Sequence, residues 1–377
     1  MSLHDRWSVA LDSLRKLDRF RSFKRPTGID FTSNDYLGYG GGRLAVPGIH
    51  TDTPLSLARS GMASRLLRGH HEIWERVEDA LATWHGCETV LMMTSGYAAN
   101  EGLLSTLLEP GDWVAYDELS HACIADGLRL AKCRRFSFRH NDLNHLEAAL
   151  KSEAEKAESG RERFVVTESV FSMDGDRSPL REIAELTEKY GAHLIVDEAH
   201  STGCYGPHGS GCVDECGVRD RVLASVHTGG KALGVPGAYI AGSRLLKDYL
   251  INKCRHLIFT TALPAECGRW WLDMLPKVQA DDAGRESLHA GAKLLRSELT
   301  ALGVPIIGTE FVVPVILGDD GPAVQVAKQV QAVGFDVRAI RPPSVPAGTS
   351  TVRVSVHADH SPEVLRALAM AFGEAIR

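Results

Sequence analysis

The sequence predicts an α/β protein: a large domain with a mainly parallel sheet flanked by helices, followed by a smaller C-terminal α+β domain. Three observations lead there. From Ile73 onward, short apolar stretches alternate with segments of helical periodicity, the pattern of crossover units that pair strands in parallel. Polar residues able to do chemistry fall just past those stretches, at Ser95, Glu168, Asp197 and Thr228. In open sheets of this kind ligands gather at the carboxyl ends of strands. The pattern then changes beyond residue 265, where single strands are separated by long helical segments.

The elements follow in order. Trp7, Leu11, Leu14 and Leu17 recur at helical spacing and predict an amphipathic N-terminal helix. Ser33-Asn34-Asp35-Tyr36-Leu37-Gly38 is a turn-rich connection, with the loop Gly40-Gly41-Gly42 behind it. Residues 89–93, 113–116, 164–167, 194–196 and 222–226 read as buried strands, and 98–108, 143–158 and 180–190 as helices. Residues 245–257 read as a helix. Beyond it come a long helix near 290–302, a strand at 312–317, a helix at 323–333, strands near Val337 and over 352–356, and a final helix. The expected divisions are an arm over 1–45, a large domain over 46–265 and a small domain over 266–377.

Composition narrows the function. A chain of 377 residues with 44% hydrophobic and 24% charged residues has the make-up of a soluble globular protein with more than one core. The formal charge of −6 gives no reason to expect nucleic acid or an anionic membrane as a partner. No stretch approaches the roughly 20 apolar residues of a membrane span, and no signal-peptide core follows Met1, so the cytoplasm is the expected location. Cys204, Cys212 and Cys216, near His200 and His208, do not match paired zinc-ligand spacing; free buried thiols and no metal are expected.

The chemistry concentrates in His193-Leu194-Ile195-Val196-Asp197-Glu198-Ala199-His200 and Ser225-Val226-His227-Thr228-Gly229-Gly230-Lys231. One apolar run delivers a carboxylate and an imidazole; the other delivers a hydroxyl, two glycines and an amine. This is equipment for holding pyridoxal phosphate, which requires a Schiff-base lysine and an acid for the pyridinium nitrogen. A strand-end aspartate also caps turns, and a lysine in a glycine-rich turn is commonly a surface residue; it is the pair that points to the cofactor. Ser95-Gly96-Tyr97 opens a helix, whose free N–H groups suit a phosphate but equally an ordinary cap. His121 could stack on the ring or simply start a helix. Arg353, in an alternating strand, needs an anion: a substrate carboxylate or a structural ion pair.

Taken together these residues resemble the α-oxoamine synthases, pyridoxal-phosphate enzymes of fold type I. The resemblance runs from about Asp30 to Val356. It rests on Ser33–Gly38, Ser95–Asn100, Leu119-Ser120-His121-Ala122, His140-Asn141-Asp142, the Glu168–Asp176 stretch and the Asp197–Gly203 run, and on Arg255–Thr261 and Ala339–Thr349 near the C-terminus. The last segment favours the branch that joins L-alanine to a pimeloyl thioester with loss of carbon dioxide. The alternatives are a sister synthase for another amino acid and acyl group, or a non-catalytic module of the same fold.

What the resemblance implies is a seven-stranded sheet, a homodimer with shared active sites, and pyridoxal 5'-phosphate on Lys231. Asp197 would pair with the ring nitrogen, His121 would stack on the ring and contact substrate, and His200 would meet the ring oxygen. Gly96, Tyr97, Ser172 and Thr228 would surround the cofactor, with Glu168 ordering the hydrogen bonds. Thr260 and Thr261 would reach the phosphate in the other subunit. Asn34 and Arg353 would bind the amino-acid carboxylate, Ser344 the acyl chain and Arg21 its far carboxylate. The sequence departs from the family at Gly61–Gly69, which carries Arg65 and Arg68, and at Trp74, which stands where a histidine is common.

Overall fold

The computed structural model describes residues 3–17, 19, 28–39, 60–156 and 161–377. Arg21 lies outside them. The chain opens with α1 (Leu3–Lys16) and the two-residue strand β1 (Ile29–Asp30). Then come α2 (Glu72–His85), β2 (Thr89–Met93), α3 (Gly96–Leu107), β3 (Trp113–Asp117), α4 (Ala122–Ala131) and β4 (Arg134–Phe138). They continue as α5 (Leu143–Glu155), β5 (Arg163–Glu168), α6 (Leu180–Lys189), β6 (His193–Asp197), α7 (Cys212–Glu215), β7 (Val222–Thr228) and β8 (Ala238–Gly242). Helices α8 (Arg244–Lys253), α9 (Arg255–Ile258) and α10 (Ala265–Ala280) precede the long α11 (Asp282–Ala301). The chain ends with β9 (Val312–Gly318), α12 (Asp320–Ala332), β10 (Phe335–Asp336), β11 (Arg338–Ile340), β12 (Ser350–Ser355) and α13 (Pro362–Ile376).

Two compact units result. The larger comprises Leu37–Phe171 and Arg177–Arg285. Its sheet has seven strands in the order β2-β8-β7-β6-β5-β3-β4. The pairs β3–β4, β3–β5, β5–β6 and β6–β7 are parallel. Strand β8 runs antiparallel to both neighbours, because only nine residues separate it from β7, too few for a crossover. The central strands are buried on both faces, which is why they read as unbroken apolar runs. Leu103, Ile124, Leu128, Val166, Ile195 and Val226 form one core beneath α3 and α4. Strand β4 was not expected: it is an edge, and Arg134 and Arg135 face solvent there, so its sequence lacks the apolar signal.

The smaller unit comprises Met1–Tyr36, Ser172–Asp176 and Glu286–Arg377. Strands β11, β12 and β9 form an antiparallel sheet, with β12 central, and β1 pairs in parallel with β10. Its core holds Leu295, Leu299, Val313, Val315, Val352, Val354 and Phe372.

The boundaries differ from the expected 45/46 and 265/266. Residues up to Tyr36 group with the C-terminal part because Ser355 N–H donates to the Phe31 carbonyl at 3.0 Å and Ala358 N–H to that of Tyr36 at 2.7 Å. Helix α10 belongs to the large unit: Gly268 lies so close to Ile73 of α2 that a Cβ would sit 2.8 Å from its Cγ2. The helix expected over 245–257 is broken at Cys254 into α8 and α9. Among the described residues, no helix is long and apolar enough to cross a membrane.

Candidate active site

The parallel register brings the chemistry together in the large unit. Glu168, ending β5, lies opposite Asp197, ending β6, which lies opposite Val226 two residues before Thr228. Asp197 is only 5% exposed. Its Oδ1 accepts the Ala199 N–H at 2.9 Å and its Oδ2 accepts Asn100 Nδ2 at 2.7 Å. The strand-end capping contact and a buried charge-assisted hydrogen bond therefore coexist. Asn100 lies one helical turn after Gly96, on the face of α3 that turns inward.

Lys231 stands in the connection between β7 and β8, its Nζ 2.7 Å from His200 Nε2. The connection is closed by Gly229 N–H donating to the Gly237 carbonyl and Val235 N–H donating to that of Gly229, both at 2.9 Å. Gly229 is required by packing. A Cβ there would meet Trp271 Cζ2 at 2.4 Å and the Val235 oxygen at 2.5 Å. Gly230 faces open space.

His121 is the N-cap of α4, and its backbone N–H donates to Glu168 Oε1 at 2.5 Å. Burial holds its imidazole below the usual histidine range; Lys231 acts in the same sense, while Asp197 opposes both. Glu168 is pushed up by burial and then by the Asp197 charge, so the two adjacent carboxylates do not both ionise readily. Helix α3 starts at Gly96, with Ser95 Oγ capping Ala98 N–H at 3.1 Å. The N–H groups of Gly96 and Tyr97 lie ahead of the helical ladder, and a Cβ on Gly96 would stand 3.7 Å from Thr228 Oγ1.

Three expected residues gather in the small unit. Arg353 Nε donates to the Ser172 carbonyl at 2.6 Å, and Nη2 donates to Asn34 Oδ1 at 2.9 Å. Tyr36 hydroxyl donates to the same Asn34 oxygen at 2.8 Å. No carboxylate contacts Arg353 in these bonds; neutral oxygens orient it. Ser344 lies on an exposed turn, its N–H donating to the Arg341 carbonyl at 3.1 Å.

Thr260 and Thr261 follow α9. Thr260 lines a small, largely filled pocket with Arg65, Trp74, Met92, Thr94 and His256, apart from the Lys231 cluster. The departures from the family pattern are absorbed locally. Trp74 is buried, and Arg65 Nη1 donates to Glu78 Oε1 at 2.5 Å, while Lys247 Nζ reaches Glu78 Oε2 at 2.8 Å. His357, Asp359 and His360 bring ligand atoms within 4.8 Å of one another. Both His360 nitrogens are already engaged, with the His357 N–H and the Asp30 carbonyl, which leaves no free pair for a metal.

Sequence reasoning missed Asn100, Cys123 and Tyr36. Asn100 and Tyr36 stood inside recognised segments, and a buried asparagine four residues after a helix-opening glycine was the available signal. Cys123 gave none.

The donor set fits pyridoxal phosphate: helix-start N–H groups for a phosphate, a buried carboxylate for a pyridinium, a lysine amine beside an imidazole for an aldehyde. Comparison with known proteins agrees. The family profile described as aminotransferase class I and II matches residues 26–372. The chain is 40% identical over 346 residues to the 8-amino-7-oxononanoate synthase of Chlorobaculum parvum, covering 90% of this chain and 88% of that protein. The enzyme of the same name from Trichlorobacter lovleyi is 40% identical over 339 residues, 89% of this chain and 85% of that one. A serine palmitoyltransferase from S. paucimobilis, solved with PLP and myriocin, superposes with a TM-score of 0.86 at 27% identity, covering 100% of this chain and 98% of that one. The chain belongs to the pyridoxal-phosphate-dependent class I and II aminotransferase family and, within it, to the 8-amino-7-oxononanoate synthase group.

Proposed function

We propose that the protein condenses L-alanine with a pimeloyl thioester, carried by coenzyme A or acyl carrier protein, to give 8-amino-7-oxononanoate, carbon dioxide and the free thiol, a step of biotin biosynthesis. The observation that carries this reading is the buried Asp197 carboxylate at the end of β6, with Lys231 set beside His200 in the connection after β7, in a chain so close to synthases of that name. Lys231 is the residue that holds the cofactor aldehyde, Asp197 pairs with the ring nitrogen, His121 lies against the ring and His200 meets its oxygen. The N–H groups of Gly96 and Tyr97, with the Thr228 hydroxyl, take the phosphate, and Ser172 borders the cofactor; Glu168 anchors His121 through its backbone N–H. When bound, the cofactor supplies an electron sink for negative charge at the amino-acid α-carbon.

Arg353 presents its guanidinium to the alanine carboxylate, oriented by Asn34 and the Ser172 carbonyl. Lys231 takes the alanine α-proton. The α-carbon bonds to the thioester carbonyl carbon as the carbon–sulfur bond breaks, and the departing thiolate takes a proton from solvent. The α-carbon then loses its carboxylate as carbon dioxide, and Lys231 returns a proton to it. Ser344 borders the acyl chain, and Arg21 meets its far carboxylate.

The active form in this reading is a cytoplasmic homodimer in which Thr260 and Thr261 reach the phosphate bound by a second copy. Exposed Met62, Leu66, Leu67 and Phe259 offer an apolar face for that copy, on segments joined by the Ala262 N–H to Ala63 carbonyl bond at 3.0 Å.

Thiol release by the cofactor-loaded protein, across a grid of amino acids and acyl thioesters, tests the reading. Preference for L-alanine with a pimeloyl thioester is expected; preference for another pair assigns a sister synthase. Lys231→Ala is expected to abolish turnover and the visible absorbance of lysine-bound cofactor. A full-strength band in that variant removes Lys231 from its role.

A further inference from the structure

Cys123 lies in the first turn of α4, two residues after His121, with its thiol buried. His121 Nδ1 faces that residue twice: the Cys123 N–H donates to it at 3.2 Å, and Cys123 Sγ lies 2.9 Å away. A backbone N–H has no acceptor capacity, so Nδ1 is the unprotonated nitrogen and the neutral ring carries its proton on Nε2. The same logic makes the thiol a donor to Nδ1. Burial, Asp197 and Glu168 all push its ionisation up, so it keeps its proton through the working pH range.

We infer that Cys123 is a positioning residue: with the opening turn of α4 it holds His121 as the Nε2–H tautomer. The inference rests on the proposed function for its catalytic meaning, since His121 is there the ring-face residue. Its consequence is a fixed polarity. His121 presents only a hydrogen-bond donor outward, suited to an anionic substrate group, and does not act as a base through Nδ1. The groups bearing on its protonation are Asp197, which favours the cation, and Lys231, burial and the two Cys123 donors, which disfavour it. Second contacts that fix a histidine tautomer are a recurrent means of setting its role.

The test is the protonation midpoint of His121 in the cofactor-free protein, read by mass spectrometry as deuterium exchange at the imidazole C2 position in a fragment containing His121. Cys123→Ser keeps a donor and is expected to hold the midpoint at or below the parent value. Cys123→Ala removes it and is expected to raise the midpoint by about 0.4–1 pH unit, the size of one neutral hydrogen bond. Cys123→Val, close in volume and without a donor, replaces the alanine variant if that chain does not fold. An unchanged midpoint in the donor-free variant overturns the inference. So does a serine variant shifted as far as the donor-free one, because packing alone would then explain the contact. Pyridoxal phosphate titration of the parent is the separate arm. If the parent binds no cofactor, the functional reading fails, while the midpoints still decide the role of Cys123.

Discussion

Gly229 and Gly230 precede Lys231 side by side and look interchangeable in sequence, yet their surroundings predict opposite responses to a methyl group. At Gly229 an added Cβ would stand 2.4 Å from Trp271 Cζ2 and 2.5 Å from the Val235 oxygen. Ordinary contact begins near 3.4 Å, so either the indole or the 229–237 connection must move by about 1 Å. Trp271 cannot swing freely: it is buried, and its Nε1 donates to the Pro236 carbonyl at 2.9 Å. Overpacking of this kind costs about 2–3 kcal/mol, which outweighs the roughly 0.4–1 kcal/mol gained when alanine restricts the unfolded chain. Gly229→Ala is therefore expected to lower the melting temperature of the cofactor-free protein by about 4–8 °C. It should also weaken pyridoxal phosphate binding about tenfold or more, because the displaced segment carries Lys231 and follows Thr228. Gly230→Ala meets nothing within 4 Å, and its melting temperature should stay within about 2 °C of the parent. Differential scanning calorimetry and a cofactor titration on both variants decide it. Equal losses in the two, or a Gly229→Ala protein as stable as the parent, would refute the packing argument.

Two further outcomes follow from the small unit. Arg353→Lys loses the Nε bond to the Ser172 carbonyl and the planar fork, and is expected to raise KM for the amino acid about 10–100-fold with cofactor absorbance intact; steady-state kinetics with an unchanged KM would remove Arg353 from carboxylate binding. His360 is held neutral by burial, with its pKa lowered to about 4, and it bonds the Asp30 carbonyl at 2.9 Å. The unfolded chain takes up the proton near pH 6.5, so this stability is fully present above that pH and declines as pH falls toward 4. The loss amounts to about 2 kcal/mol by pH 5. Asp30, lowered to about 2, adds a further loss only below its unfolded value of 3.8. Denaturant melts at pH 7.5 and 5 should show His360→Asn with a flatter pH dependence than the parent; parallel curves would contradict the assignment.

The sequence by itself determined the alternation of β and α segments, the strand ends at which polar residues collect, and the placing of Asp197 and Lys231 just past two apolar runs. These were legible because strands buried on both faces must be continuously apolar, and a carboxylate or amine at their ends breaks that run visibly. Tertiary structure alone decided what each polar residue leans on. Asn100 meets Asp197 because α3 folds over the end of β6, 97 residues away in the chain. Arg353 meets Asn34 across 319 residues, and neutral oxygens orient it where the sequence allowed an ion pair. The boundary after residue 285 depends on α10 packing against α2, and β4 exists because β3 supplies an edge for a charged segment to pair with. Periodicity records which way a side chain faces along its own element. It carries no record of which distant element that face will meet, and the hydrogen bonds that set protonation and tautomer are made there.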